Sequence, residues 1–160
     1  MVLGLVCRVS GRNPLVIGVR LEREANGFKA SRVLEHRPIR HDDWAGKLTL
    51  VAGELETLLR DGAYRAVVVR TLEDRTPMGA PRLTDASRKR LHLEGVLLEV
   101  SRRHTDVVQA VNGAGLGQLL GSSKAVVEAQ AAELVGTREE LVDAAAAALG
   151  ALALLEADGT

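Results

Sequence analysis

Val2-Leu3-Gly4-Leu5-Val6-Cys7-Arg8-Val9 is a nearly continuous apolar run, and the fold follows from how it is read. A run this short, rich in Val and Leu and bounded by a turn, is the pattern of a strand covered on both faces. Ser10-Gly11-Arg12-Asn13-Pro14 supplies that turn, and residues 15–21 (LVIGVRL) give a second strand. Asn26-Gly27 is a hairpin-turn dipeptide. Residues 29–39 alternate apolar and polar side chains and predict a third, half-exposed strand. The first forty residues therefore read as a three-stranded antiparallel meander.

Beyond residue 40 the period changes. Asp42 or Asp43 can cap a helix whose apolar positions are Trp44, Leu48, Val51, Leu55, Leu58 and Leu59, ending at Asp61-Gly62. Residues 66–69 (AVVV) predict a short buried strand. Residues 72–84, with Pro77, Gly79 and Pro81, predict a loop. Thr84 or Asp85 starts a helix with Leu91, Val96, Leu97 and Val100 facing inward, and residues 107–111 give a fifth strand. The glycine-rich residues 112–121 read as a flexible turn with a short helical turn or two. Ser122 or Ser123 caps the next helix, and Thr137-Arg138-Glu139-Glu140 has the form of a capping box for a last helix to about residue 155. Three antiparallel strands followed by αβ units predict an α/β fold: a mixed five-stranded sheet, three strands antiparallel and two more parallel, with helices on both faces. At 160 residues, 1–160 is expected to be one domain.

Composition narrows the function classes. Lys+Arg and Asp+Glu both number 21, so the formal net charge is zero and no global field draws the chain to nucleic acid or membrane. The charge is uneven, however: +5 over residues 1–40, −3 over 41–59, +4 over 60–103 and −6 over 104–160. Only Phe28, Trp44 and Tyr64 are aromatic, which removes base-stacking platforms for single strands. Cys7 is the one cysteine, so neither an internal disulfide nor a cysteine-based zinc site can form; buried in a strand, it reads as structural. With no signal-peptide pattern and no span of membrane length, a cytoplasmic location is expected.

Three segments carry a resemblance to a known family. They are Val2-Leu3-Gly4-Leu5, the helix start Gly121-Ser122-Ser123-Lys124-Ala125-Val126-Val127, and Val142-Asp143 followed by Ala144–Ala148 and Leu149. Together with the element order, they resemble the RuvC-type Holliday-junction resolvase group, which has the RNase H-like fold. The resemblance implies a five-stranded RNase H-like sheet. It also implies a nuclease site in which carboxylates hold two metal ions, magnesium for instance, that activate water and stabilise the leaving oxygen of a phosphodiester.

The residues depart from that pattern at the site itself. The family's first-strand Asp falls on Val6, and no Asp or Glu precedes Glu22. The fourth-strand Glu falls on Arg70. On the last helix Asp143 matches, while the second Asp falls on Ala146. Val6, Arg70 and Ala146 are thus degenerate metal positions, and Asp143 is the one candidate catalytic carboxylate retained. Glu73 and Asp74 lie past the fourth strand but do not replace a first-strand carboxylate. Arg70 can be a tethered cation paired with Asp143, or it can point into solvent.

Three alternative expectations follow. The first is a RuvC-like protein that has lost nuclease activity and serves as a non-catalytic module binding protein or nucleic acid, without metal or other cofactor. Its nucleic-acid contacts would be Arg70, Arg75, Arg82, Arg88, Lys89, Arg90 and Lys124. The second is an active magnesium-dependent endonuclease on branched DNA. A structural subunit of a larger assembly is the third alternative. The partners implied are a second copy in a homodimer, branched DNA or a protein, and no membrane. The helix over residues 86–103 has an apolar stripe that could serve a dimer. The segment Gly113-Ala114-Gly115-Leu116-Gly117 lacks the spacing of a dinucleotide loop, His36, His41, His92 and His104 lack metal-pair spacing, and the C-terminal acidic residues, Glu128 among them, read as solvated faces.

Overall fold

In the computed structural model, which describes residues 1–38, 43–71 and 84–158, the chain order is β1 (Val2–Ser10), β2 (Asn13–Glu24), β3 (Gly27–His36), α1 (Trp44–Asp61), β4 (Ala66–Arg70), α2 (Asp85–Arg102), β5 (Val107–Val111), α3 (Gly113–Leu119), α4 (Lys124–Val135) and α5 (Glu139–Asp158). The five strands form one sheet in the order β3-β2-β1-β4-β5. β1 pairs antiparallel with β2 and parallel with β4, and β5 is parallel to β4. This is the expected mixed sheet, with β1 at its centre. The expected loop over residues 72–83 lies outside the described residues.

The alternation of side chains along β1 divides the interior in two. Val2 and Val6 join Leu15, Ile17, Val19, Ala66 and Val68 on one face, under α5. Leu3, Leu5 and Cys7 join Val67, Val69 and the leucines of α1 and α2 on the other. The first face is covered by alanines: Ala144 through Ala148 and Ala151 are fully buried. Small side chains let α5 lie directly on the sheet. At Gly4 of β1 a Cβ would fall inside the backbone of Ala144 and Ala148, so glycine is required there for close approach.

The helix caps follow the sequence closely. Asp43, Thr84 and Ser123 accept hydrogen bonds from the backbone N–H groups of Gly46, Ser87 and Val126. Four expectations are corrected. Residues 113–119 form an ordered helix, not a flexible turn: Asn112 caps it, accepting from Gly115 N at 2.8 Å. α5 begins one residue late for a Thr137 cap, since the Arg138 carbonyl accepts from Val142 N. On α2, Leu97 and Val100 face inward as expected, but Leu91 is exposed and Leu93 takes the inward position, because Leu93, four residues before Leu97, shares its face of the helix and Leu91, six before, does not. The third strand ends at His36 rather than at 39, ahead of Pro38, which has no N–H to donate to a ladder.

Candidate functional site

Val6 and Arg70 are direct partners in the β1–β4 register. Both lie near the carboxyl ends of parallel strands, on the face that α5 covers. Arg70, the last residue of β4, has a side chain only 9% exposed, and Asp143 of α5 has one 7% exposed. The two meet, Arg70 Nη1 lying 2.7 Å from Asp143 Oδ1. Of the two orientations open to Arg70, the tethered cation is the one adopted.

The pair belongs to a larger network. Arg70 Nη2 donates to Glu128 Oε1 of α4 at 2.7 Å. Arg8 of β1, two residues beyond Val6 on the same strand face, donates to Asp143 Oδ2 and, at 3.0 Å, to Glu139 Oε1. Lys124 Nζ lies 3.9 Å from Glu128. Asp143 is therefore held between two guanidinium groups. Burial pushes its carboxyl above the usual carboxylate range; Arg70 and Arg8 pull it back, while Glu128 and Glu139 add to the rise. Arg8 and Glu128 are members of the cluster that the sequence analysis did not single out. Arg8 could have been found by extending the Val2, Val6 alternation by one step. Glu128 is corrected from a solvated residue to a partner of Arg70.

The other basic candidates fare differently. Arg90 is corrected: it is 7% exposed and pairs at 2.9 Å with Glu94, also buried, one turn along α2, so it is not available to a phosphate. Arg70 is likewise buried and engaged. Lys89 pairs with Asp85 at 2.7 Å and lies 5.6 Å from the Trp44 ring centroid. Arg88 is exposed, and the Lys124 side chain is 39% exposed. Arg75 and Arg82, with Glu73 and Asp74, lie outside the described residues. Lys47, in the first turn of α1, donates to the Arg12 carbonyl at 2.9 Å and to Asn13 Oδ1 at 3.0 Å, pinning the β1–β2 turn. Basic side chains thus gather around the carboxyl edge of β1 and β4, where α1, α2 and α5 start.

Cys7 points to the opposite sheet face, its Sγ 4.0 Å from the Arg90 carbonyl. Burial, with the Glu94 carboxylate adding to it, pushes its thiol up to about 12, so no thiolate forms near neutral pH. His104 Nε2 lies 2.7 Å from Glu56 Oε1, a tie between α1 and the end of α2. Among the described residues no group of three or more His, Cys, Asp or Glu is placed to hold a metal ion.

No family model matches the chain, and no curated protein matches it in sequence. Solved structures do match its fold. The structure of Thermus thermophilus RuvC aligns over 96% of this chain and 96% of its own, with a TM-score of 0.64 and 15% identity. T. thermophilus RuvC in complex with Holliday junction substrate aligns over 98% of this chain and 95% of its own, with a TM-score of 0.66 and 17% identity. The fold is the RNase H-like fold of RuvC, as the resemblance implies.

Magnesium, which that fold family implies, needs several oxygen donors in near-octahedral geometry. The residues present do not fit it. At the positions that the resemblance assigns to ligands, Val6 and Ala146 offer no donor and Arg70 is a cation, and both oxygens of Asp143 are taken by guanidinium groups.

Proposed function

We propose that this chain is a RuvC-like module without nuclease activity that binds nucleic acid, branched DNA being the first substrate to try, in the cytoplasm and without a metal cofactor. One observation carries the loss of activity: Asp143, the one retained carboxylate, is neutralised by Arg70 and Arg8. Hydrolysis through bound metal needs that carboxylate free and others beside it. What supports nucleic-acid binding is the likeness to a RuvC whose structure holds Holliday junction substrate, and the basic side chains at the same strand ends. Of the cations expected to meet phosphate, Arg88 is exposed and the Lys124 side chain is 39% exposed, whereas that of Lys89 is 21% exposed and paired with Asp85; Arg75 and Arg82 complete the set in sequence.

A purified chain mixed with four-way junction DNA in magnesium or manganese tests this. The expected result is binding that falls steeply with salt, without cleavage. Binding weakens further when Arg88 and Lys124 are changed to Gln. Cleavage that disappears in Asp143→Ala would overturn the proposal in favour of an active endonuclease. Absence of binding at low salt would favour a protein partner or a structural subunit.

Self-association is the second element. Leu91 is 46% exposed on α2, and Gly95, Leu98, Glu99, Arg102 and Arg103 line a shallow groove along the same helix. Light scattering of the wild type against Leu91→Glu tests a homodimer through that strip, with a monomeric wild type as the contrary result.

A further inference from the structure

We propose that Asp143 and Glu128 form a cation site of which the Arg70 guanidinium is the built-in occupant. The two carboxylates come from different helices, α5 and α4, and face each other across one guanidinium, 2.7 Å from Nη1 and 2.7 Å from Nη2. Without a cation between them, two such carboxylates repel each other. Arg70 is 7% exposed and is fixed at the end of a central strand. Its Nη1 is buried and makes no well-aligned hydrogen bond, although it lies within ion-pair distance of Asp143. Charge more than hydrogen-bond geometry thus holds Nη1, and an ion of different shape can serve the same carboxylates. Arg8 on the second Asp143 oxygen, Lys124 near Glu128, and Glu139 on Arg8 complete the charges around the site.

A tethered cation competes at a high effective concentration, so free divalent ions are shut out of the wild type. Once the guanidinium is removed, Asp143 and Glu128 are hard oxygen donors of the kind manganese and magnesium take. This inference rests on the reading that the family's metal site is lost, but not on nucleic-acid binding or on any cleavage measurement. An active nuclease and a failed cation site therefore give separate results.

The test uses manganese as the probe, followed by spin resonance titration and thermal melting, on wild type, Arg70→Gln and Arg70→Gln/Glu128→Gln. The wild type should show no specific manganese site and no gain in Tm beyond that of a monovalent salt at equal ionic strength. Arg70→Gln should melt lower, recover part of the loss in millimolar manganese, and bind the ion at least about tenfold more tightly than wild type. Adding Glu128→Gln should abolish the recovery. The proposal is overturned if the wild type binds manganese as well as Arg70→Gln does, or if the single variant gains nothing. It is equally overturned if the gain survives loss of Glu128. If Arg70→Gln is unfolded without the ion, refolding by circular dichroism on adding manganese supports the site, and a chain that stays unfolded counts against it.

Discussion

The two faces of the sheet are packed by opposite means. Under α1 and α2 the filling is bulky: Leu3, Leu5, Leu55, Leu59, Leu93 and Leu97 are all buried. Under α5 it is alanine against valine, with Gly4 letting the helix backbone touch the strand. Large side chains hold a helix away from a sheet and small ones let it approach. The difference matters for the charged cluster, because aspartate is short. Asp143 reaches Arg8 and Arg70 because the alanines behind it bring α5 down onto β1 and β4. The buried pair on the leucine face, Arg90 with Glu94, is formed within one helix at a spacing of four residues. The Asp143 cluster joins β1, β4, α4 and α5.

That contrast can be broken at four depths. Gly4→Ala should have the largest effect. The added methyl group meets backbone that cannot rotate aside, so a loss beyond about 4 kcal/mol, or failure to fold, is expected in urea denaturation. Asp143→Ala should cost about 3–5 kcal/mol by the same measurement, since it leaves two guanidinium groups without their shared anion. On the leucine face, Leu97→Ala should cost about 2–5 kcal/mol through an ordinary cavity, with the alanine face and the Arg70–Glu128 contact unchanged by crystallography. Glu139→Gln should be nearly silent, under about 1 kcal/mol, because that carboxylate is 81% exposed at the edge of the cluster. A Glu139→Gln loss as large as that of Asp143→Ala would show that the cluster is not graded by burial.

The sheet was legible because each strand carries its own signal: a continuous apolar run in β1 and β4, alternation in β3, an Asn-Gly turn between β2 and β3. The last helix was legible as an alanine run opened by Asp143. The meeting of Arg70 and Asp143 could be posed from their positions alone, but not decided. Arg8 and Glu128 were harder, since their partners lie 135 and 58 residues away: strand alternation gives the face on which Arg8 lies but not its partner, and no local pattern marks Glu128. Arg90 misled for the same reason. In a basic run beside Arg88 and Lys89 it looks solvated, and only the facing of α2 shows that it turns inward with Glu94. The glycines of α3 looked like a loop because helix propensity counts against them. Tertiary packing overrides that: a Cβ at Gly117 would press on the Ser122 carbonyl, where α3 turns toward α4.

The chain's first strand and last helix are packed against each other, and this bears on the order in which the fold can assemble. Until residues 139–158 are made, the valines of β1, β2 and β4 on that face have no cover, and Arg8 and Arg70 have no Asp143. Contacts of such long sequence separation close late and slowly, because the loop entropy is spent before the contact returns anything. A nascent or truncated chain lacking α5 would carry an adhesive apolar sheet with Arg8 deprived of both its carboxylates and Arg70 left with Glu128 alone, a species prone to aggregate or to capture polyanions. The docking of the alanine-rich α5 thus acts as the closing step of folding, and its speed sets how long the unfinished sheet is at risk.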